Sequence, residues 1–470
     1  MPDGASLDLK TRLGVSGFNV FVPSAKNDVV LCLNTFKGSF FPLSVSDFEV
    51  FGGIIAAVED EKPLAEFPQS MIKIMHDYGF LIEQEFDERD AIRHRYFNGR
   101  DKEKNLKLTI APTVSCNFAC SYCFEEHPKR HMSQDDIEAL GRYVDTALDP
   151  GETLSITWFG GEPLAQFNSL KKLDALFTDI CRAKGSRYHQ SIITNGSLLS
   201  ESRIQYFAGR EGFSSAQLTL DGPPDIHDQR RVTSAGGETF SRIMKNIKAV
   251  NSRFYINVRV NLDARNVNRI TELIDLIADA DVGHYVGLYF GHVANFNDTV
   301  GGLDDHCLTR RAFADAEAKL SFYMLQKGLR PSVSLPVPYA GSICVADAKG
   351  GAVLSPGGMV FNCWNETAFP EGKESGRYET GEIVRDPEQK LRSERWKDYD
   401  PFAHSECQTC KVMPVCKGGC PWEAAKAPKE GPGHCTSLRY NLSDRLRLHY
   451  ICSQIDASAE IKPDRPRQII

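Results

Sequence analysis

The sequence lacks the long apolar run that a membrane-spanning helix needs. No apolar stretch approaches the ~18 residues that would mark such a helix, and the opening segment MPDGASLDLK has neither the basic nor the apolar part of a signal peptide. It also lacks a Lys/Arg-rich run, and its net charge is −7. These absences argue against a membrane partner and against a nucleic-acid partner. We therefore expect a cytoplasmic protein.

Cysteine, in contrast, is plentiful, with 14 in 470 residues. In a chain without a secretion signal, metal ligation explains so many cysteines better than disulfide bonds do. The length is too large for one ordinary domain and suggests about two to four. A hydrophobic content of 41% is sufficient for sizeable cores.

Three of these cysteines are closely spaced. Cys116, Cys120 and Cys123 stand at positions i, i+4 and i+7, directly after the apolar run 106–114. Thiolates are the usual ligands of iron–sulfur clusters, and three of them leave one iron of a [4Fe–4S] cube free for another ligand. The alternative interpretation is zinc, which takes four ligands in structural sites. His127 is available as the fourth.

Residues 1–100 are predicted to form a small α+β domain of their own. Short apolar runs bounded by Pro, Asn and Gly indicate strands, and the apolar periodicity that follows indicates two helices. A charged segment, Glu85–Lys104, then leads to the cysteine triplet. The predicted strands are Phe18–Val22, Val29–Asn34 and Phe40–Leu43, and the predicted helices are Asp47–Val58 and Gln69–Tyr78.

From residue 106 to about 291 strands and helices alternate. Six β/α repeats of this length predict a parallel sheet that curves into a partial (β/α)6 barrel of the TIM type. The predicted strands are Leu106–Ala111, Leu154–Phe159, Ser191–Thr194, Ala216–Leu220, Tyr255–Val260 and Tyr285–Phe290. The predicted helices lie near 133–147, 169–182, 200–208, 239–250 and 266–279.

Small and hydrogen-bonding residues follow these strands. In parallel α/β folds, ligands bind at the carboxyl ends of the strands, so we expect these residues to share one rim with the cysteine triplet. Glycines there let the backbone approach a ligand closely, and the Glu162 carboxylate can accept a hydrogen bond from an ammonium group. The candidates are Gly160, Gly161, Glu162, Pro163, Thr194, Asn195, Thr219, Asp221, Arg259 and Asn261.

A second cysteine-rich region follows a predicted bridging helix, Arg310–Gln326. Seven cysteines do not fit one zinc ion and fit two awkwardly, although an isolated Cys-x2-Cys pair would favour a zinc ribbon. They fit two [4Fe–4S] clusters, one of which is short of one ligand. A closing helix is predicted at 433–455, with a disordered tail from Ala457. The seven cysteines are Cys344, Cys363, Cys407, Cys410, Cys416, Cys420 and Cys435.

The triplet, with Tyr122 before its last cysteine, resembles the signature of the radical SAM superfamily. That resemblance implies that the free iron binds the amino and carboxylate groups of S-adenosylmethionine, and that the reduced cluster cleaves it to a 5′-deoxyadenosyl radical. It also implies that the GGEP segment 160–163 meets the methionine amine, and that segments 194–196 and 219–222 lie near the ribose and adenine. Arg231, or its neighbour Arg230, would pair with the carboxylate.

The second region resembles the SPASM extension of radical SAM enzymes that modify peptides. The resemblance implies a fully ligated distal cluster, held by Cys407, Cys410, Cys416 and Cys435. It implies a proximal cluster at Cys344, Cys363 and Cys420, whose free iron could ligate a substrate thiolate. With the triplet, this makes three [4Fe–4S] clusters and one S-adenosylmethionine per chain.

Residues 1–100 loosely resemble the small winged-helix domains that hold leader peptides in peptide-maturation enzymes; the alternative is a structural cap. The resulting domain prediction is a peptide-binding (RRE-like) or cap domain at 1–100, a radical SAM partial barrel at 101–308 and a bridging helix with linker at 309–340. A SPASM domain follows at 341–440, and the end of the last helix with its tail at 441–470.

The favoured function is maturation of a ribosomally made precursor peptide by a crosslink, with a thioether preferred over a carbon–carbon bond. The expected partners are that peptide with its leader and an electron donor such as flavodoxin or ferredoxin. The runner-up is an anaerobic sulfatase-maturating enzyme, which forms formylglycine. Members associated with that reaction carry Asp directly after the cysteine corresponding to Cys363, where this chain has Trp364. They also carry an extra cysteine after Cys344.

A third possibility is a non-enzymatic electron carrier or zinc scaffold, which would not need the rim of polar residues after the strands. As for acid–base groups, the sequence offers only Asp221 and Glu366 as weak catalytic candidates, since polar residues near clusters are usually structural.

Overall fold

The computed structural model describes residues 12–295 except 124 and 126, and residues 303–332, 335–367, 376–378, 383–384, 399–426 and 434–458. Within these ranges, none of the helices is both long and apolar enough to cross a membrane. The disordered tail was predicted from Ala457, but the last helix continues to Ser458, and residues 459–470 lie outside the described residues.

The N-terminal domain is α+β, as predicted. Its antiparallel sheet has the order β2-β3-β4, and a separate two-stranded pair joins β1 to β5. Phe51, Ile54, Met75 and Phe80 form its core and are almost completely buried. The elements are β1 (Leu13–Val15), β2 (Asn19–Pro23), β3 (Val29–Asn34), β4 (Ser39–Ser44), α1 (Val45–Glu59), α2 (Gln69–Asp77), β5 (Leu81–Glu83) and α3 (Glu88–Asp101).

The six predicted barrel strands form one parallel sheet in the order β11-β10-β9-β8-β7-β6, which is curved but not closed. Neighbouring strands pair in chain order and in parallel, so their carboxyl ends lie along one edge. The strands are β6 (Asn105–Ile110), β7 (Thr153–Trp158), β8 (Arg187–Ile193), β9 (Phe213–Thr219), β10 (Tyr255–Leu262) and β11 (Val286–His292).

Helices cover the outside of this sheet and bury their apolar faces against it. Ile137, Leu140, Leu173, Ile243 and Ile274 belong to the single large core that results. Ser133 begins the first of these helices with a capping box, in which the side chains of Ser133 and Asp136 each accept from the other residue's backbone N–H. The helices are α4 (Gln134–Ala147), α5 (Phe167–Lys184), α6 (Glu201–Ala208), α7 (Pro224–Arg230), α8 (Phe240–Val250) and α9 (Ile270–Asp279).

The cysteine-rich region continues the same sheet. Strand β12 (Gly351–Ser355) pairs in parallel with β6 and then antiparallel with β13 (Met359–Phe361). Strands β14 (Gly376–Tyr378) and β15 (Ile383–Val384) extend the sheet further. This sheet therefore connects the first cysteine loop to the segment that carries Cys344 and Cys363.

Helix α10 (Arg310–Gln326) begins and ends where the sequence predicted, and it packs on the last helix, α14 (Leu438–Ser458). Leu442 and Leu446 of α14 also pack against Leu31 and Leu33 of the N-terminal sheet. The N-terminal domain therefore sits on the cysteine-rich region. Short helices carry the cysteines there: α11 (Ser405–Gln408), α12 (Met413–Cys416) and α13 (Pro421–Lys426).

Candidate active site

The cysteine triplet lies in the loop that follows β6. The thiols of Cys116, Cys120 and Cys123 lie near one another. The charge of Cys120 adds to the raised pKa of Cys116, and the charges of Cys120 and Cys116 add to that of Cys123. Burial is the larger cause, and it raises the pKa of Cys116 and Cys123 to about 12. The backbone N–H of Phe118 donates to the Cys116 sulfur at 3.4 Å. Because metals bind thiolates, loading this site releases protons.

His127 lies beside the triplet, as the zinc interpretation required of it. Its Nε2 is 3.3 Å from the Cys123 sulfur, and its Nδ1 is 3.1 Å from the carbonyl oxygen of Val114. The carbonyl can only accept, so Nδ1 carries the proton and Nε2 accepts from the thiol. Among the described residues, no three His, Cys, Asp or Glu side chains converge closely enough to share one metal ion.

The GGEP segment after β7 presses against this loop. A Cβ on Gly161 would lie 2.4 Å from the carbonyl oxygen of Ser115, and one on Gly160 would lie 2.2 Å from that of Thr113. Only glycine permits this approach. Pro163 is buried at the start of a short 3₁₀ turn.

The carboxylate of Glu162 joins two segments of the rim. It is fully buried and accepts from the N–H of Leu164 at 3.0 Å, the hydroxyl of Thr194 at 2.7 Å and the N–H of Asn195 at 2.8 Å. These three internal donors fix the segment after β8 against the segment after β7. The expected contact of Glu162 with an ammonium group stays a prediction.

Asn195 in turn connects that segment to the cysteine loop. Its side-chain N–H donates to Asn117 at 2.8 Å, and Asn117 donates to Ser197 at 3.1 Å. The residues after β7 and β8 and the cysteine loop thus share one hydrogen-bonded network at the rim.

Tyr122, inside the triplet, is the centre of a second network. Its hydroxyl donates to the fully buried carboxylate of Asp221, and it accepts from Arg231 at 2.6 Å and from Asn261 at 3.2 Å. Asp221 also accepts from the backbone N–H of Asn261 at 3.0 Å. Asp221 therefore has internal partners on both sides, and its role as an acid or base stays a prediction. Nothing else in the sequence indicated that Tyr122 would join β9 to β10.

The two arginines that the sequence left open have different surroundings. Arg230 forms ion pairs with Asp263 at 2.8 Å and with Asp221 at 3.8 Å. Arg231 contacts Tyr122 and lies close to Cys120. Burial lowers the pKa of its guanidinium, but Cys120, Tyr122 and Asp221 outweigh burial and raise the pKa overall. Arg231 is thus the cation beside the triplet.

Thr219 and Arg259 complete the rim. They are register partners at the ends of β9 and β10. Arg259 donates through Nε to the side-chain oxygen of Asn261 at 2.7 Å, and it lies so close to β11 that a Cβ on Gly291 would be 2.6 Å from that nitrogen. All the rim residues predicted from the sequence therefore lie on one edge of the sheet, around the triplet.

Cys344, Cys363 and Cys420 form a second group, although they are far apart in the sequence. Burial raises the pKa of all three thiols, and Cys344 and Cys420 add to the shift at Cys363. Glu366 accepts from the backbone N–H groups of Asn362 at 2.9 Å and Cys363 at 3.0 Å. It therefore stabilises the Cys363 turn, and its role as a catalytic acid or base stays a prediction.

The remaining four cysteines line one small cavity. Burial raises the pKa of Cys407 to about 12, and the next causes are Cys416, Cys410 and Cys435. The structure thus brings the members of each set near one another, and the assignment of the two sets to two clusters stays a prediction. Four thiols along one cavity are the donor type that a [4Fe–4S] cluster takes.

Contacts join the Cys363 loop to the triplet. The rings of Trp364 and Phe159 lie 5.0 Å apart between centroids, and Phe159 directly precedes the GGEP segment. Thr367 donates to Glu125 at 3.5 Å, and burial raises the pKa of Glu125 to about 7. Sequence reasoning missed Glu125, whose only signal is its position two residues after Cys123. The loop of Cys363 therefore packs against the segments beside the first cysteine group.

Comparison with known proteins agrees with this arrangement. The family model described as "Radical SAM superfamily" matches residues 110–285. A serine-type anaerobic sulfatase-maturating enzyme of Bacteroides thetaiotaomicron is 22% identical over 368 residues, which are 68% of this chain and 83% of that protein. The radical SAM cyclopropyl synthase TigE of Paramaledivibacter caminithermalis is 22% identical over 73% of this chain and 74% of its own length.

Among solved structures, that of anSMEcpe with bound AdoMet and Cp18Cys peptide matches with a TM-score of 0.54 and 21% identity. The match covers 76% of this chain and 100% of that one, and it shows that the two share a fold. Residues 110–285 are a radical SAM domain, of the kind that uses a [4Fe–4S] cluster and S-adenosylmethionine, and the chain resembles enzymes that carry such a domain.

Proposed function

We propose that this enzyme matures a ribosomally made precursor peptide by installing a crosslink, and that the crosslink is a thioether. When bound at Cys116, Cys120 and Cys123, the cluster and S-adenosylmethionine supply a 5′-deoxyadenosyl radical that removes hydrogen from an unactivated carbon. Cys344, Cys363 and Cys420 would hold a proximal cluster, and Cys407, Cys410, Cys416 and Cys435 a distal one. Three protein ligands at the proximal site leave one position for a substrate thiolate.

The observation that carries this proposal is the contact between Trp364 and Phe159. It joins the loop of Cys363 to the segment just before Gly160 and Gly161, so that a peptide held there would touch both groups of cysteines. A thioether needs a carbon radical and a sulfur atom from one substrate in one place. Proximity of this kind is worth many orders of magnitude in rate, and it supports a crosslink between two residues of one peptide.

Trp364 also argues against formylglycine formation. That reaction needs a base to take a proton from the substrate, and members associated with it carry an Asp at the position of Trp364. Here the side chain is an indole packed on Phe159, which cannot act as a base at neutral pH. Glu366, two residues further on, is used by the backbone of the turn.

The N-terminal domain supports a substrate with a leader. Thr35 donates to the carbonyl oxygen of Lys411, and the ammonium group of Lys411 donates to the carbonyl oxygen of Asn19 at 2.9 Å. These bonds fix the sheet β2-β3-β4 to the loop between Cys410 and Cys416. A leader bound to this domain would hold the core peptide at a set distance from the cysteine groups.

The experiment is to reconstitute the enzyme anaerobically and give it a short Cys-containing peptide encoded beside it, with a reductant and S-adenosylmethionine. We expect roughly twelve irons per chain, since three cubes hold four each, and 5′-deoxyadenosine on reduction. The peptide should lose two hydrogens, keep its sulfur, resist thiol alkylation and carry no aldehyde. Replacing the peptide cysteine by serine is the matched control and should abolish the product.

A second candidate is maturation of a sulfatase. The relative from Bacteroides thetaiotaomicron is a sulfatase-maturating enzyme, and this chain matches 83% of its length. The same assay separates the two. A sulfatase-derived peptide that gains an aldehyde, detected with a hydrazide reagent, would favour the second candidate. Zinc in place of iron and no 5′-deoxyadenosine would contradict both.

A further inference from the structure

The cavity lined by the four distal cysteines has more than thiols in its wall. His434, Thr436, Arg439 and Glu406 line it as well. His434 is only 2% exposed, and neither of its ring nitrogens has a hydrogen-bond partner among the described residues. A buried, unpaired imidazole N–H is costly, by about 1–3 kcal/mol, so this ring indicates an acceptor that belongs in the cavity.

Arg439 already shows what such an acceptor is. It donates through Nη1 to the sulfur of Cys435 at 3.1 Å, and Glu406 holds the guanidinium in place at 2.7 Å. The hydroxyl of Thr436, which also lines the cavity, is 3.6 Å from the sulfur of Cys416. The ring of His434 is itself held by His404, with 4.1 Å between the centroids. Donors therefore surround the sulfurs of this set.

Hydrogen bonds to the sulfurs of an iron–sulfur cluster make the cluster easier to reduce. The donors beside the distal set are therefore expected to raise the reduction potential of a cluster held there.

We propose that His434 and Arg439 donate hydrogen bonds to a [4Fe–4S] cluster held by Cys407, Cys410, Cys416 and Cys435, and that these bonds raise the reduction potential of that cluster. This inference rests on the two auxiliary clusters of the proposed function, but not on its peptide substrate. His434 and Arg439 are positioning residues for the cluster and ligate no iron.

The test is a redox titration of the full-length chain, monitored by electron paramagnetic resonance. Replacing Cys116, Cys120 and Cys123 by Ala removes the first cluster and leaves the two auxiliary ones. The reduction wave that disappears with Cys435→Ala is assigned to the distal cluster.

His434→Phe keeps the ring and removes the donors. It should lower the equilibrium constant for one-electron reduction of the distal cluster at least tenfold, which is ~59 mV, and leave the proximal wave in place. His434→Gln, which keeps an N–H, should recover most of the shift. His449→Phe is the matched control. His449 lies in α14, packs on Phe40 of β4 and does not line the cavity of the four distal cysteines. An exchangeable-proton coupling in the reduced distal signal should be lost in the Phe variant alone.

If His434→Phe loses iron, Arg439 provides the same comparison with the cluster intact. Arg439→Met removes the donor, and Arg439→Lys keeps one. An unmoved distal wave at full iron content would overturn the inference. Since neither S-adenosylmethionine nor peptide is present, failure of the proposed peptide reaction does not affect this result. Absence of auxiliary iron from the unsubstituted chain would instead count against the proposed function itself.

Discussion

Tyr96 donates a hydrogen bond of 2.6 Å to Asp347, and this bond joins helix α3 to the loop that carries Cys344. Asp347 is fully buried and also accepts from the backbone N–H groups of Ile343 at 3.0 Å and Cys344 at 2.8 Å. The carboxylate therefore shapes the Cys344 turn, and a residue of the N-terminal domain completes its partners. A change in the N-terminal domain can reach the proximal cysteines by this route.

Tyr96→Phe should weaken this connection without leaving a large cavity. The buried carboxylate loses one of three donors, which we expect to cost about 1–3 kcal/mol of unfolding free energy. Chemical denaturation of the protein without iron measures that cost, and iron content after reconstitution reports whether the Cys344 loop still binds. Tyr78→Phe is the control, since Tyr78 is 47% exposed. Equal stability of the two variants would show that the bond contributes little.

Arg230 and Arg231 are adjacent in sequence but should fail in different ways. Arg230→Met removes the partner of Asp263 and Asp221, and breaking a buried pair costs about 3–5 kcal/mol. The low end applies because Arg265 stays 2.9 Å from Asp263. Urea denaturation of the protein without iron measures this loss.

Arg231→Met should instead act on the cofactor. In the proposed site it pairs with the carboxylate of S-adenosylmethionine, and truncating one partner of such a pair costs at least about 2 kcal/mol, more than tenfold in Kd. Equilibrium dialysis of the reconstituted enzyme measures that affinity. If Arg230→Met weakened binding more than Arg231→Met at matched iron content, the assignment would be reversed.

The parallel sheet and its rim were predictable because each strand repeats one signal, an apolar run that ends in polar or glycine residues. Helix α3 was not predictable in the same way. It reads as a charged segment, and few of its residues, such as Ile92 and Tyr96, are buried. Its start depends on Asp87, which accepts from the N–H groups of Arg89 and Asp90.

The partners of the polar rim residues were also beyond the sequence. Glu162, Asp221 and Glu366 were correctly singled out as polar residues near the cysteines, yet their carboxylates are used internally. Residue type and spacing predict that a carboxylate lies at the rim, but its partners come from other strands. The pairing of β12 with β6 is a contact of the same long-range kind.

His227 should make the stability of the protein depend on pH in the acidic range. It is fully buried, accepts from the N–H of Asp221 at 3.2 Å and contacts the hydroxyl of Thr239 at 3.0 Å. Burial, and then Arg231, lower the pKa of its imidazole from 6.5 to about 4. Between these values the unfolded chain binds a proton that the folded chain does not, so stability is complete above about pH 6.5 and falls as the pH drops towards 4.

The expected loss between pH 7 and pH 5 is about 2 kcal/mol from this one group. Unfolding free energies of the unsubstituted protein and of His227→Gln, compared at the two pH values, isolate it from the other titrating groups. His227→Gln should lose less stability over the interval, and the exposed His189→Gln should behave as the unsubstituted protein does. Identical pH dependence in all three would mean that His227 titrates alike in both states.

Gly161→Ala should disturb the site through a single methyl group. A Cβ there would lie 2.4 Å from the carbonyl oxygen of Ser115 and 2.6 Å from that of Val114. Both are backbone atoms of the segment that leads into Cys116, so relief requires the GGEP segment or the cysteine loop to move.

Overpacking of this kind costs typically about 1–3 kcal/mol, and we expect a matching fall in unfolding free energy together with poorer iron incorporation at the triplet. Gly52→Ala provides the contrast, because nothing lies within 4 Å of a Cβ at that position in α1. Removing a glycine from a helix interior should stabilise the protein by about 0.5–1 kcal/mol. Full iron content and unchanged stability in Gly161→Ala would show that the two segments can separate freely, and that close packing is not what positions Cys116.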